Sequence, residues 1–201
     1  MVQRARRSLG ILTCLALAAA LLAAQPASAQ EKPRQGGELI FVGAAEPPGF
    51  DGHREETFGM LHPVGPHYST LMRVDPTDKT GTKFVGDIAE SWTVSPDKRT
   101  YTFKVRHGVK FHDGSLLTSK DVKASYDKII FPQPGVPSSR QEQYKAVEAV
   151  EAPNPDTVIF RLKWPEGSFM ASVASPWNFI YKADILAKDP RWYEKNIMGT
   201  G

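Results

Sequence analysis

From Thr100 to Arg106 apolar and polar side chains alternate without a break: Tyr101, Phe103 and Val105 stand against Thr100, Thr102, Lys104 and Arg106. A helix would scatter the three apolar residues around its circumference, whereas a strand sets them on one face. The segment must therefore lie in a sheet with one dry and one wet side. Just before it, Ser95-Pro96-Asp97-Lys98 joins a proline that presets φ to an aspartate that accepts local backbone bonds. Residues 91–94 and 100–106 are thus predicted as the two arms of a hairpin. Gly108 and Asp113-Gly114 bracket a second, shorter strand around residues 109–111.

The same periodicities organise the rest. Glu38-Leu39-Ile40-Phe41-Val42 has the near-continuous apolar centre of a strand buried on both faces. The Pro and Gly content of residues 46–52 marks a loop. Val64, Tyr68 and Leu71 at helical spacing predict a helix within residues 60–72, with Pro63 and Pro66 in its first turn or confining it to the second half, and Pro76 beyond it. Thr118-Ser119-Lys120-Asp121 resembles a capping box, followed on one face by Val122, Tyr126 and Ile129 and ending near Phe131-Pro132. Residues 144–152 and 157–163 flank Pro153-Asn154-Pro155-Asp156 as a second hairpin. Short helices are predicted around residues 167–174 and 182–188.

The amino terminus is a separate unit. Arg4, Arg6 and Arg7 precede an apolar run over residues 9–24, and Ala27-Ser28-Ala29 offers a small-x-small site, so residues 1–29 are predicted to be a cleaved secretory signal peptide. The run is shorter than the ~20 residues a membrane-spanning helix needs. Cys14 follows Ile11-Leu12-Thr13, without the small neighbour of a lipid-attachment site, and would leave with the peptide. The mature chain then has no cysteine and no disulfide framework. The 25 Lys+Arg fall to 22 with the three arginines, against 22 Asp+Glu. That balance argues against a nucleic-acid partner and against direct membrane insertion after cleavage. The remaining 201 − 29 = 172 residues suit one domain.

Motif chemistry points away from catalysis. No Gly-x-Ser-x-Gly elbow, Walker loop, Gly-x-Gly-x-x-Gly or Cys-x-x-Cys occurs. His53, His62 and His67 do not have the spacing of a compact metal site, and they are expected at the surface or in turns. His112-Asp113 is a strand end running into a turn rather than a catalytic pair. No catalytic residue, metal or cofactor is therefore expected.

The longest run of specific wording is Ile88-Ala89-Glu90-Ser91-Trp92, then Ser95-Pro96-Asp97-Lys98, Thr100-Tyr101-Thr102-Phe103, Gly108-Val109-Lys110-Phe111-His112-Asp113-Gly114 and Leu117-Thr118-Ser119-Lys120-Asp121-Val122. It resembles the signature of the family 5 solute-binding proteins, the extracytoplasmic peptide, dipeptide and nickel receptors of ABC importers. Ile88 stands where that signature has Leu, and Lys98 where it has Gly. The resemblance implies a mixed α/β fold, a type II periplasmic-binding-protein lobe with an extra mixed subdomain, here incomplete. Residues 30–51 would hold the first strand and the start of the main lobe, 52–165 the extra subdomain, and 166–201 the return toward the main lobe. Because family members run two to three times longer, Met198-Gly199-Thr200-Gly201 is expected to end an N-terminal fragment. Trp92 would sit in the core of the subdomain.

The resemblance also implies a function: the periplasmic substrate-binding component of an ABC importer, capturing oligopeptides or a similar small organic solute. It would act as a monomer and deliver its ligand to a membrane permease with its ATPase. By position, Glu56, Thr57 and Phe58 would border the cleft, with Glu56 meeting a cationic amine and Phe58 packing. On the return segment Ser175, Trp177 and Asn178 would face it, Trp177 stacking and Asn178 hydrogen bonding. In the family the loop before the Glu56–Phe58 segment often carries Leu-Asp-Pro; here Phe50-Asp51-Gly52 departs from it. The alternatives are a secreted hydrolase or other extracytoplasmic enzyme, and a binding protein turned to an adhesion or structural role.

Overall fold

The computed structural model describes residues 36–38, 40–43 and 45–201. The chain divides into two units, Met1–Phe41 and Val42–Gly201. The signal peptide expected over residues 1–29 lies outside the described residues. The strand expected over residues 38–42 does not form among the described residues there, which have no regular structure. A strand needs a neighbour for its backbone N–H and C=O groups.

In the second unit helix α1 spans Phe58–Val64. Thr57 caps it, its hydroxyl accepting from the Met60 N–H at 3.3 Å. Neither placement expected of the prolines holds. Pro63 falls in the last turn of a shorter, earlier helix, and Pro66 lies in the single 3₁₀ turn Gly65–His67. The missing proline N–H groups stop propagation there, so the chain reaches Leu71 extended and enters strand β1, Met72–Val74. It pairs antiparallel with β2, Phe84–Gly86.

A four-stranded antiparallel sheet follows, built from β3 (Ala89–Val94), β4 (Thr100–Val105), then, after helix α2 (Ser119–Ile130), β5 (Val147–Asn154) and β6 (Thr157–Leu162), in the order β3-β4-β6-β5. Both expected hairpins are present. Lys98 in the first turn has φ +56°, a conformation that favours glycine, which accounts physically for the glycine of the signature at this place. Pro153 sits in β5, an edge strand, where a missing donor costs no ladder bond. The strand expected at residues 109–111 is reduced to a single bridge, Lys110 to Leu116.

Tyr101, Phe103 and Val105 share the dry face with Val158, Phe160, Leu162, Val147 and Val150, and α2 covers it with Val122, Tyr126, Ile129 and Ile130. Trp92 departs from expectation. It pairs with Phe103 but is 37% exposed, because α2 packs over β5 and β6 while β3 lies at the far edge of the sheet. The α2 cap forms as expected: Asp121 Oδ2 accepts from the Thr118 N–H at 2.8 Å. The return segment supplies α3 (Phe169–Val173) and α4 (Ala183–Lys188). Among the described residues no helix is long and apolar enough to cross a membrane.

Candidate functional site

Three polar residues of α2, Asp121, Ser125 and Lys128, repeat at core spacing and are all buried. Their partners come from the return segment and the loop before α1. Asp121 Oδ1 accepts from the Ala183 N–H at 2.9 Å. Ser125 Oγ accepts from the Tyr181 N–H at 2.7 Å and donates to the Asp121 carbonyl at 2.7 Å. Lys128 Nζ lies 2.5 Å from Asp51 Oδ2, an ion pair with side chains 4% and 3% exposed. Asp51 Oδ1 also accepts from the Tyr181 hydroxyl at 3.0 Å and the His53 N–H at 3.0 Å. Burial works against the Asp51 charge, but the Lys128 ammonium and the His53 N–H hold its pKa below the ordinary value.

The ion pair fixes a tight loop. The Gly52 N–H donates to Tyr181 Oη at 2.8 Å, and a Cβ at Gly52 would lie 2.5 Å from the Phe179 ring and 2.9 Å from the Trp177 carbonyl. Only glycine allows that approach, and a proline here would lack the N–H. His53 is fully buried, contrary to the surface placement expected for it. Its ring lies against Tyr181, centroids 4.3 Å apart, and Nε2 donates to the Phe179 carbonyl at 2.8 Å. Burial first, and then the Lys128 charge, bring its pKa down to about 3, so the imidazole is neutral. Asp51 meets the backbone of His53, not its ring, so the two do not form a catalytic dyad.

The loop leads straight to the first expected site segment. Glu56, Thr57 and Phe58 are exposed, Phe58 at 62%, with the Thr57 hydroxyl already engaged as the α1 cap. Phe58 meets the second expected segment directly: its ring centroid is 5.5 Å from that of Trp177, at 51°, and 5.4 Å from His62. Two stretches more than 100 residues apart thus meet in one aromatic wall. Ser175 is half-buried beside it. Asn178 is fully buried, and its amide nitrogen donates to Tyr144 Oη and the Ser172 carbonyl, both at 2.8 Å, and to the Val173 carbonyl at 3.3 Å.

Beside the wall runs a groove of about 460 Å³, with Leu61, Tyr68, Ala174, Pro176 and Phe179 as its apolar lining and His62, Arg73 and Asp87 among its polar groups. A concave, largely apolar surface with a few convergent polar groups suits capture of a small organic molecule. Among the described residues no cluster of three or more His, Cys, Asp or Glu could hold a metal ion.

Residues 83–201, more than half the chain, match the family model described as "Bacterial extracellular solute-binding proteins, family 5 Middle". The chain belongs to family 5 of the bacterial extracellular solute-binding proteins. A Brucella ovis protein named as an ABC transporter peptide-binding protein is 35% identical over 123 residues, 58% of this chain and 23% of its own length. The glutathione-binding protein GsiB of Escherichia coli is 36% identical over 114 residues, 57% of this chain and 22% of its own length. The chain therefore spans about a quarter of the length of these relatives. The oligopeptide-binding protein AppA of Bacillus subtilis, solved with a nonapeptide, superposes with a TM-score of 0.74 at 27% identity, over 85% of this chain and 34% of that one. These family 5 relatives are binding proteins, and the family is extracytoplasmic.

Family position singles out Phe58 and Trp177, which the structure brings together, but not the buried residues of the preceding loop and its partners: Asp51, His53, Lys128 and Tyr181. Two signals for them were present. Asp51 occupies the Asp of the family's Leu-Asp-Pro loop, and Asp121, Ser125 and Lys128 fall at i, i+4 and i+7, the spacing of a buried helix face.

Proposed function

We propose that this chain is a substrate-binding component of an ABC importer, capturing peptides or a similar small organic solute outside the cytoplasm and delivering it to a permease with its ATPase. The observation that carries the reading is the meeting of Phe58 and Trp177 beside an open groove. Phe58 and Trp177 supply flat apolar contact, Glu56 meets a ligand ammonium, and Thr57 and Ser175 offer hydroxyls at the rim. Asn178 supports the wall from behind, since its amide nitrogen is spent within the fold. The division into a main-lobe start over residues 30–51, a subdomain over 52–165 and a return over 166–201 belongs to the same reading. So do export by a signal peptide cleaved after Ala29, periplasmic residence and action as a monomer.

Micromolar affinity requires about −8 kcal/mol, and one wall with a single groove supplies only part of the surface that a ligand enclosed between two lobes would bury. The expected affinity of this chain is therefore weak. Amide chemical-shift mapping with a mixture of di- to pentapeptides tests the reading. Shifts clustered at residues 56–62 and 174–179 are expected; no shifts, or shifts confined to the β3–β6 sheet, would overturn it.

A further inference from the structure

One side chain joins Trp177 to the loop that leads to Phe58. Arg140 stands at the start of the 3₁₀ turn Gln141–Tyr144, distant in sequence from either half. Its Nη1 donates to the Gly52 carbonyl at 2.9 Å and to the His53 carbonyl at 3.5 Å, and its Nη2 donates to the Glu55 carbonyl at 2.7 Å. The guanidinium carbon lies 5.1 Å from the centroid of the Trp177 ring. Arg140 is only 4% exposed, and among the described residues no carboxylate lies within ion-pair distance of it. Instead, Glu56 is the acidic group whose charge most favours the cation, while burial pulls its pKa down.

A buried cation without a carboxylate is a costly way to gain stability. As a geometric device it has a use, because the guanidinium is flat and its donors are held in a rigid fork. Here the fork spans three carbonyls of one loop while its central carbon lies over a ring from another segment. The loop it grips is the one that ends in Glu56, Thr57 and Phe58. The neighbouring Ser139 adds a bond from its N–H to the His53 carbonyl at 3.1 Å and another from its hydroxyl to the Arg54 carbonyl.

We propose that Arg140 is a positioning residue that sets the spacing between Phe58 and Trp177, and hence the shape of the aromatic wall a ligand meets. The proposal rests on the reading of these two segments as ligand-facing. A lysine in its place keeps the charge but has no planar fork to hold three carbonyls while staying over the indole.

The test uses the whole chain labelled with 5-fluorotryptophan, the Trp177 ¹⁹F resonance being assigned by its loss in Trp177→Phe. In Arg140→Lys the Trp177 resonance is expected to shift or broaden, while those of the exposed Trp92 and Trp164 stay in place. Titration with alanyl-phenylalanyl-alanine should move the Trp177 resonance in the wild type, with the apparent Kd weakened about tenfold in Arg140→Lys. An unchanged Trp177 resonance in Arg140→Lys, or an unchanged Kd, would overturn the proposal. A displaced Trp177 resonance in the variant with no wild-type response to any peptide supports the positioning role and overturns the ligand-facing reading alone. If Arg140→Lys does not fold, Trp177→Leu carries the test. Amide exchange at Arg54 and Glu55, whose N–H groups donate to the Asp51 carbonyl, speeds up about tenfold if ring and loop are coupled through Arg140, and a change below twofold contradicts the coupling.

Discussion

The β3–β6 sheet with α2 and the loop-and-aromatic region around Asp51 are both fully buried at their centres, but they are held by different physics. In the sheet Tyr101, Phe103, Val158 and Phe160 pack on Val122, Tyr126 and Ile129, a non-directional arrangement that tolerates volume-conserving change. Around Asp51 the contacts are directional: a buried ion pair, the Tyr181 hydroxyl, a neutral histidine and an arginine fork. Of the four buried side-chain polar atoms lacking a partner among the described residues, three lie here, at His53 Nδ1, Trp177 Nε1 and Asn178 Oδ1. Imperfect satisfaction of buried polar groups concentrates where shape matters more than stability. The sheet region makes the fold persist, and the Asp51 region holds the wall in place.

Breaking one partner in each region should separate the two. Lys128→Ala strands the Asp51 carboxylate and should cost about 3–5 kcal/mol in urea denaturation, similar to Phe160→Ala, about 3–5 kcal/mol from the cavity it leaves. The difference lies in rescue. The double change Asp51→Leu with Lys128→Met should regain most of the stability, since an apolar pair of similar volume replaces a buried ion pair at little cost. The loop at residues 52–55 would nevertheless lose its anchor. No rescue of the double change would show that the pair itself is the source of stability.

Acid should act on the Asp51 region first. Folded His53 stays neutral down to about pH 3, whereas an ordinary histidine takes its proton near 6.5, so between these values the unfolded chain binds more protons than the native one. Stability is therefore complete above pH 6.5 and falls as the pH drops toward 3, by at most about 1.4 kcal/mol per pH unit. Asp51, whose folded pKa is depressed, adds a further loss below its ordinary value of 3.8. His53→Gln should flatten the upper part of this slope in denaturation series from pH 7 to 4. An unaltered slope would place the acid sensitivity elsewhere.

Smaller effects come from the ends of elements. Asp121→Ala removes acceptors for both Thr118 and Ala183 and should cost about 1–2 kcal/mol by thermal unfolding. Lys98→Gly relieves the left-handed turn and should stabilise by about 0.5 kcal/mol. It is the one change here expected to raise the midpoint.

How far the sequence could be read follows the same division. The alternation at residues 100–106, the Pro-Asp turn and the capping box at Thr118 are local patterns, and each appears where local physics puts it. Trp92 is misread from the sequence because burial depends on what covers a strand, and no local pattern records that α2 stops short of β3. The prolines of α1 were misjudged because the Thr57 cap starts the helix two residues earlier than the apolar spacing suggests. The wall residues Phe58 and Trp177 were nameable only through family position. Arg140 looks in sequence like any loop arginine, because its three acceptors are backbone carbonyls that carry no side-chain signature.

Native-state hydrogen exchange in Lys128→Met tests most directly whether the two regions do separate work. The amides of Gly52, His53 and Glu55, which donate to Tyr181 Oη, the Asp51 carboxylate and the Asp51 carbonyl, should lose protection by about a hundredfold more than those of β4 and β6. Equal loss across all these amides would mean that the ion pair serves the whole fold, and would contradict the account.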